Sequence, residues 1–236
     1  MVTDRVKKIQ AYLKEHDIDA FLVLTKLNRQ YISGFTGSAG MVLVTKKSAE
    51  LYVDDRYTIR AKRESPLKVS KLSRFSATLF EIGEGRVKSG IGIEDKITVR
   101  EFRSLKKNHR SVKWVVTPNL VENLRSIKSA REIKYIQKAA KIIDNIFLLV
   151  KKMGILGMTE IAIAQAIERL AVKLGADGMA FESIVAWGPN AAIPHHLPGK
   201  QKIKNSNFLL MDFGVLVNGY HSDFTRTLFI GHPDKQ

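Results

Sequence analysis

The chain has 236 residues, of which 44% are hydrophobic, so it can bury the core of one large domain or of two ordinary ones. The absence of cysteine excludes a disulfide framework, a thiolate nucleophile and a cysteine-ligated zinc site. The net charge of +16 favours polyanionic partners such as nucleic acid. However, the lysines are scattered over amphipathic helices and no nucleic-acid-binding signature accompanies them, so specific nucleic-acid binding is not expected.

The N-terminal half alternates helical and strand patterns. Thr3 or Asp4 can cap a first helix whose apolar positions are Val6, Ile9 and Leu13. The further predicted elements are strands at Ala20–Leu24, Met41–Val44, Leu51–Val53, Ile91–Ile93 and Val112–Val116, and helices around Tyr57–Arg63, Ser73–Phe80 and Val99–Lys107. This alternation predicts an α/β domain with a mixed sheet covered by helices over residues 1–125. The charged N-terminus has no apolar run of signal-peptide length, so a cytoplasmic location is expected.

A second domain, residues 126–236, is predicted to begin with its own helix. Ser129 and Glu132 have the spacing of a capping box. The helix that follows is predicted to bury one apolar stripe, made of Ile133, Ile136, Ala140, Ile143, Phe147 and Val150. A second helix after Thr159 is predicted to bury Ile163, Ile167, Leu170 and Leu174 and to end at Gly175, before a strand at Phe181–Val185.

The segment FLLMDFGVLVNGYHSDFTRTLFIG predicts a β-hairpin that carries two aspartates. Asn218-Gly219 is a typical two-residue turn, and it sets a register in which Asp223 faces Gly214 and has Asp212 as its diagonal neighbour. Two carboxylates on one sheet face repel each other unless a proton or a metal lies between them. Oxygen ligands on a rigid ribbon suit Mn²⁺, Mg²⁺, Co²⁺ or Zn²⁺ in a hydrolytic site. The alternative is that one aspartate simply lies in water at a turn or an edge.

The segments MDFG and GYHSDFTRT closely resemble the first two metal ligands of the methionine aminopeptidase, prolidase and creatinase superfamily, whose catalytic domain has the pita-bread fold. The stretch FESIVAWGPNAAIPHHLPG resembles its substrate-side segment. The resemblance implies that Asp212 and Asp223 bridge two divalent ions, with Mn²⁺ expected and Co²⁺ or Zn²⁺ as alternatives. It also implies that His195 is catalytic and stabilises a tetrahedral oxyanion, and that the Thr225 hydroxyl supports the metal ligands.

The positions of two further histidines indicate roles for them. His221 lies two residues before Asp223, which makes it a candidate ligand or a hydrogen-bond donor to that carboxylate. The alternative is a histidine with no such role, because the resemblance does not mark it. His196 is predicted to be structural or to line the substrate site.

The N-terminal segments DAFLVLTKLNRQYISGFTGSAGMVLVT and LYVDDRYTIRAKRE resemble the first domain of Xaa-Pro aminopeptidases and prolidases. GFTGS followed by DDRY favours the aminopeptidase. The implied protein is a metal-dependent, homo-oligomeric aminopeptidase that acts on proline-containing peptides and has no membrane span. Three alternatives stay open: an Xaa-Pro dipeptidase, creatinase-type chemistry on a small guanidino compound, and a pita-bread pseudoenzyme that only binds a partner.

The family's metal centre is completed by a further histidine and two glutamates that follow the hairpin. The chain reaches Gln236 before any of these family ligands, so it is expected to be C-terminally truncated, with an incomplete α+β pita-bread domain. Such a chain is expected to bind Mn²⁺ weakly and to hydrolyse Xaa-Pro peptides negligibly.

Overall fold

The computed structural model describes residues 2–75 and 90–231. The chain divides into two compact units, Met1–Ile127 and Lys128–Gln236. The predicted helix Ser73–Phe80 lies largely outside the described residues. Its described beginning belongs to a 3₁₀ turn, Leu72–Arg74.

The N-terminal unit is built from helices and short strands in alternation. Its described helices are α1 (Val2–Glu15), α2 (Lys26–Ser33), α3 (Thr58–Glu64), α4 (Val99–Asn108) and α5 (Leu120–Ser126). Its described strands are β1 (Ala20–Val23), β2 (Met41–Thr45), β3 (Ala49–Val53), β4 (Lys68–Lys71), β5 (Ile91–Ile93) and β6 (Trp114–Val116).

These strands form one mixed sheet in the order β4-β3-β2-β1-β5-β6. The pairs β1–β2 and β2–β3 are antiparallel, and the outer pairs are parallel. All four residues of β1 are buried, because apolar clusters pack on both faces of the sheet. The predicted α/β architecture is therefore confirmed.

Some predicted bounds in this unit were wrong. The first helix already includes Thr3 and Asp4, so neither residue is the cap. Strand β6 begins at Trp114 rather than at Val112. Helix α2 was not predicted, because its buried face carries the polar residues Asn28 and Arg29 and so lacks an apolar period.

The C-terminal unit packs two helices against two small sheets. Its described elements are α6 (Ala130–Lys152), α7 (Glu160–Lys173), β7 (Gly178–Met179), β8 (Ile184–Trp187), β9 (Asn207–Phe213), β10 (Val215–Val217), β11 (Tyr220–His221) and β12 (Phe224–Ile230). One sheet has the order β11-β10-β7 and the other has the order β12-β9-β8. The predicted strand Phe181–Val185 was misplaced, since β8 begins only at Ile184.

Helix α6 confirms the predicted capping box but corrects its buried stripe. Ser129 accepts from the Glu132 amide, and the Glu132 side chain accepts from the Ser129 amide. Glu132 itself is buried and accepts from the Tyr220 hydroxyl at 2.6 Å. On this helix Ile133 is 45% exposed, whereas Ile142 and Ile146 lie in the core.

The described helices do not meet the requirements of a bilayer span. None of them combines the necessary length with sufficient apolarity.

Candidate metal centre

The two aspartates lie on the ribbon formed by β9, β10, β11 and β12. The turn residues Asn218 and Gly219 both have positive φ, 51° and 80°, as a two-residue hairpin turn requires. Val217 pairs with Tyr220 across this turn, and the same register continues into the seven pairs of β9 and β12. The predicted register is therefore confirmed.

This register places Asp212 and Thr225 opposite each other on one face of the sheet. Asp212 also pairs with Ile184 on the neighbouring strand β8. The flanking residues Met211 and Phe213 point to the opposite face and are buried in the core. Asp223 precedes Thr225 by two residues, so it shares the face of Asp212 as a diagonal neighbour.

Gly214 lies opposite Asp223, at the joint where the ribbon passes from one sheet to the other. A Cβ atom built on Gly214 would lie 2.0 Å from the carbonyl oxygen of Ser222, so no larger residue fits there without displacement of the backbone. The Ser222 amide donates to the Val215 carbonyl at 3.0 Å, and the Ser222 hydroxyl accepts from the Val215 amide at 3.1 Å. This close approach holds the ribbon together beside Asp223.

The Asp212 carboxylate is poorly solvated. Burial raises the pKa of Asp212 above its ordinary value and the charge of Asp223 adds to the rise, whereas the Thr225 hydrogen bond and the charge of His195 oppose it. Its Oδ1 atom is buried and has no hydrogen-bond partner within the described part of the chain. An unpaired buried carboxylate oxygen is costly unless a cation, a proton or water meets it.

The donors at this site fit a divalent cation. A hard cation prefers carboxylate oxygens, and Asp212 offers one such atom that no group among the described residues satisfies. Asp223 is exposed on the same face and can supply a second carboxylate. Across residues 2–75 and 90–231, however, no group of three or more histidine, aspartate or glutamate side chains has metal-binding geometry. The described residues therefore do not form a complete metal site by themselves.

His195 lies in the loop between β8 and β9. Its side chain is exposed and its φ is 55°, in the left-handed region that residues other than glycine rarely adopt. Its charge acts on the Asp212 carboxyl, as the pKa of Asp212 reflects, so the loop brings this histidine toward the aspartates. The structure thus places Asp212, Thr225 and Asp223 on one face of the ribbon, and the charge of His195 acts on Asp212; their joint role as a site stays a prediction.

His221 occupies a different position. It pairs with Leu216 in β11, which belongs to the other sheet, and its side chain is exposed. Its role as a ligand or as a donor to Asp223 stays a prediction.

Glu160 is a residue of this unit that the sequence analysis missed. It is the first residue of α7 and its side chain is fully buried, where it accepts hydrogen bonds from the loop that carries His195. The neighbour of His195, His196, donates to it at 2.9 Å, which assigns His196 a structural contact. Only the common preference for an acidic residue at a helix start marks Glu160 in the sequence, and that signal does not identify its partners.

Models of two protein families match almost the whole chain. The family described as creatinase/prolidase N-terminal domain matches residues 5–127. Metallopeptidase family M24 matches residues 134–236.

Individual relatives agree with these matches. An Xaa-Pro dipeptidase of Pyrococcus horikoshii is 32% identical over 237 residues, covering 100% of this chain and 67% of the relative. The structure of an Xaa-Pro dipeptidase from Bacillus anthracis superposes with a TM-score of 0.90 at 30% identity, covering 99% of this chain and 66% of that one. An X-Pro aminopeptidase from Thermotoga maritima superposes with a TM-score of 0.84 at 29% identity, covering 97% and 66%. This chain therefore spans about two thirds of the length of these relatives.

Proposed function

The chain belongs to metallopeptidase family M24, with a creatinase/prolidase N-terminal domain followed by part of a pita-bread domain. From this premise we propose that its function is that of an Xaa-Pro aminopeptidase. The proposed reaction is hydrolysis of the peptide bond between an N-terminal residue and proline. The proposed metal is Mn²⁺, held in part by Asp212 and Asp223. A homo-oligomeric state and a cytoplasmic location remain predictions.

The observation that carries this proposal is the unsatisfied Oδ1 atom of Asp212. A folded protein rarely leaves a buried carboxylate oxygen without a donor, and the charged groups that influence the pKa of Asp212 are another carboxylate and a histidine. A carboxylate kept in that state suits the binding of a cation. A module that bound peptides without a metal would gain nothing from it.

The chain's own residues would divide the chemistry as follows. Asp212 and Asp223 would hold the cation, which when bound supplies Lewis acidity for the attack of water. Thr225, through its hydroxyl, would fix the orientation of Asp212. His195 would donate a hydrogen bond to the oxygen of the scissile carbonyl as negative charge develops there. Removing one such donor typically slows turnover by about 100- to 1,000-fold.

The metal-binding part of the proposal is tested by isothermal titration of the purified 236-residue chain with Mn²⁺. We expect weak binding, because a two-ion centre needs roughly five protein ligands and two are present. Asp212→Asn and Asp223→Asn should each abolish the binding heat, whereas Asp144→Asn, an exposed carboxylate on α6, should leave it unchanged. Equal binding by all four proteins would overturn the proposed centre.

The activity is tested on the product of the complete reading frame. An aminopeptidase cleaves Xaa-Pro tripeptides and longer peptides, whereas a dipeptidase is restricted to Xaa-Pro dipeptides. We expect cleavage of an Ala-Pro-Ala peptide that Asp223→Asn abolishes. Cleavage of Ala-Pro alone would favour the dipeptidase. Peptide binding without hydrolysis of either substrate would favour the binding module.

A further inference from the structure

Glu160 connects the start of α7 to both ends of the His195 loop. Its Oε1 atom accepts from the Trp187 amide at 2.7 Å and from the Asn190 side chain at 2.9 Å. Its Oε2 atom accepts from His196 Nε2 at 2.9 Å and from the Gly199 amide at 3.0 Å. Both oxygens of a fully buried carboxylate are thus satisfied by donors within the segment 187–199.

The backbone around Glu160 reinforces this attachment. The Glu160 amide donates to the Gln201 carbonyl at 3.0 Å, and the Ile161 amide donates to the Gly199 carbonyl at 3.1 Å. These bonds fix the C-terminal end of the loop to the first turn of α7. The His196 ring then attaches the middle of the loop to the same carboxylate.

The electrostatic environment keeps Glu160 available as an acceptor. Burial alone would raise the pKa of Glu160. The hydrogen bonds from His196, Asn190 and the amides of Trp187 and Gly199 outweigh burial and hold that pKa below its ordinary value of 4.5. The carboxylate is therefore ionised at neutral pH, and its hydrogen bonds are charge-assisted.

His195 needs such support, because its backbone is held in an unfavourable conformation. A non-glycine residue at a φ of 55° persists only where its surroundings impose that conformation. Its own side chain is exposed, and the adjacent residue His196 is bound to Glu160. The attachment of His196 therefore restrains the direction in which the His195 side chain projects from the loop.

We infer that Glu160, acting through His196, is a positioning residue that holds His195 toward the carbonyl group of the substrate. This inference rests on the proposed function for the role of His195. Both oxygens of Glu160 are occupied by donors of the loop, so the inference gives Glu160 no contact with substrate or metal. Its contribution is to position His195, which is the proposed hydrogen-bond donor to the substrate.

The test compares Glu160→Gln and His196→Gln with Glu132→Gln in the complete gene product. Glu132 is a matched control, since it is also a buried carboxylate at the start of a helix in the same unit and also accepts from the backbone and a side chain. We expect the first two variants to lower kcat on an Xaa-Pro peptide about ten- to a hundredfold with KM nearly unchanged. Glu132→Gln should lower the thermal midpoint but leave kcat at the wild-type value.

A double-variant cycle separates positioning from a general structural role. On a His195→Ala background, Glu160→Gln should lower kcat no further, because the residue that it positions is already gone. An equal, additive loss on both backgrounds would overturn the inference. So would a decrease in kcat that simply follows the thermal midpoint across all three variants.

A spectroscopic measurement decides the placement of His195 without any activity. In protein labelled at histidine ¹³Cε1, the His195 signal is identified by its loss in His195→Ala. Glu160→Gln and His196→Gln should shift and broaden that signal, and Glu132→Gln should not. An unchanged His195 signal would overturn the inference. Lack of Xaa-Pro hydrolysis by the wild-type protein would overturn the proposed function alone.

Discussion

Glu94 of the N-terminal unit and Asp212 of the C-terminal unit both have carboxylate oxygens withdrawn from water, yet their surroundings differ. Glu94 accepts from the amides of Leu24 and Thr25 at 2.6 and 2.8 Å, and from the side chains of Thr25 and Asn28 at 2.7 and 2.6 Å. Asp212 has a buried oxygen with no partner within the described residues. A carboxylate with all its hydrogen bonds connects parts of a fold, whereas one with an unpaired buried oxygen indicates a candidate ligand site.

The largest effect that tests this contrast is expected for Glu94→Ala. The change would remove the acceptor of four hydrogen bonds, although Asn28 Nδ2 keeps its second acceptor, Glu122. At about 1–3 kcal/mol for each donor that stays dry, we expect a loss of about 4 kcal/mol in the free energy of unfolding. The chain has two tryptophans, and Trp114 lies in this unit, so its fluorescence during urea unfolding reports the change. The exposed neighbour Asp95 is the control, and a similar loss in Asp95→Ala would contradict the explanation.

Tyr220→Phe is expected to have the next largest effect. It removes the hydrogen bond to the buried Glu132, and a bond to a charged group typically contributes about 1.5–3 kcal/mol. Urea unfolding followed by Trp187 fluorescence measures the loss in the C-terminal unit. Tyr135→Phe removes a bond with Arg131 at the surface instead, so it should cost less than about 0.5 kcal/mol. Equal losses would show that burial of Glu132 does not matter.

Asp212→Asn should act in the opposite direction. The neutral amide removes a desolvated charge and its repulsion with Asp223, so in the presence of a chelator we expect the C-terminal unit to gain about 1 kcal/mol. Trp187 fluorescence in urea again provides the measurement, with Asp144→Asn as the exposed control. A destabilised variant would mean that the carboxylate is satisfied after all, and would remove the contrast with Glu94.

The smallest expected effect concerns the pH dependence of the N-terminal unit. Burial lowers the pKa of His109 below its ordinary value of 6.5, so the unfolded chain binds the proton more tightly than the folded one. Stability is then complete above pH 6.5 and falls, by less than about 1 kcal/mol, as the pH drops toward the lowered pKa. Urea midpoints followed by Trp114 should show this slope in wild type and in His16→Gln. His109→Gln should flatten it, and an unchanged slope in that variant would contradict the assignment.

Local sequence was sufficient to predict the ribbon that carries the aspartates. Asn218-Gly219 specifies the turn, and the turn then fixes every pair between β9 and β12. The capping box of Ser129 and Glu132 was equally predictable from the sequence, because its two residues are three positions apart. In both cases the interacting groups are close in the sequence.

The supports of the site were not predictable in the same way. Glu160 and His196 are 36 positions apart, and no pattern in either segment identifies the other as its partner. Helix α6 likewise buries Glu132 against the distant Tyr220 and leaves Ile133 exposed, which its apolar pattern does not indicate. Pairings of this kind are decided by tertiary packing, which overrides local periodicity.

The close approach at Gly214 affects how tolerance to mutation in the ribbon should be interpreted. Any side chain at this position would collide with the Ser222 carbonyl, whether or not the protein binds a metal or a peptide. A survey of variants would therefore record intolerance at position 214 as strong as that expected at Asp223. Only intolerance to Asp223→Asn, which keeps the size and shape of the side chain, would then report on chemistry.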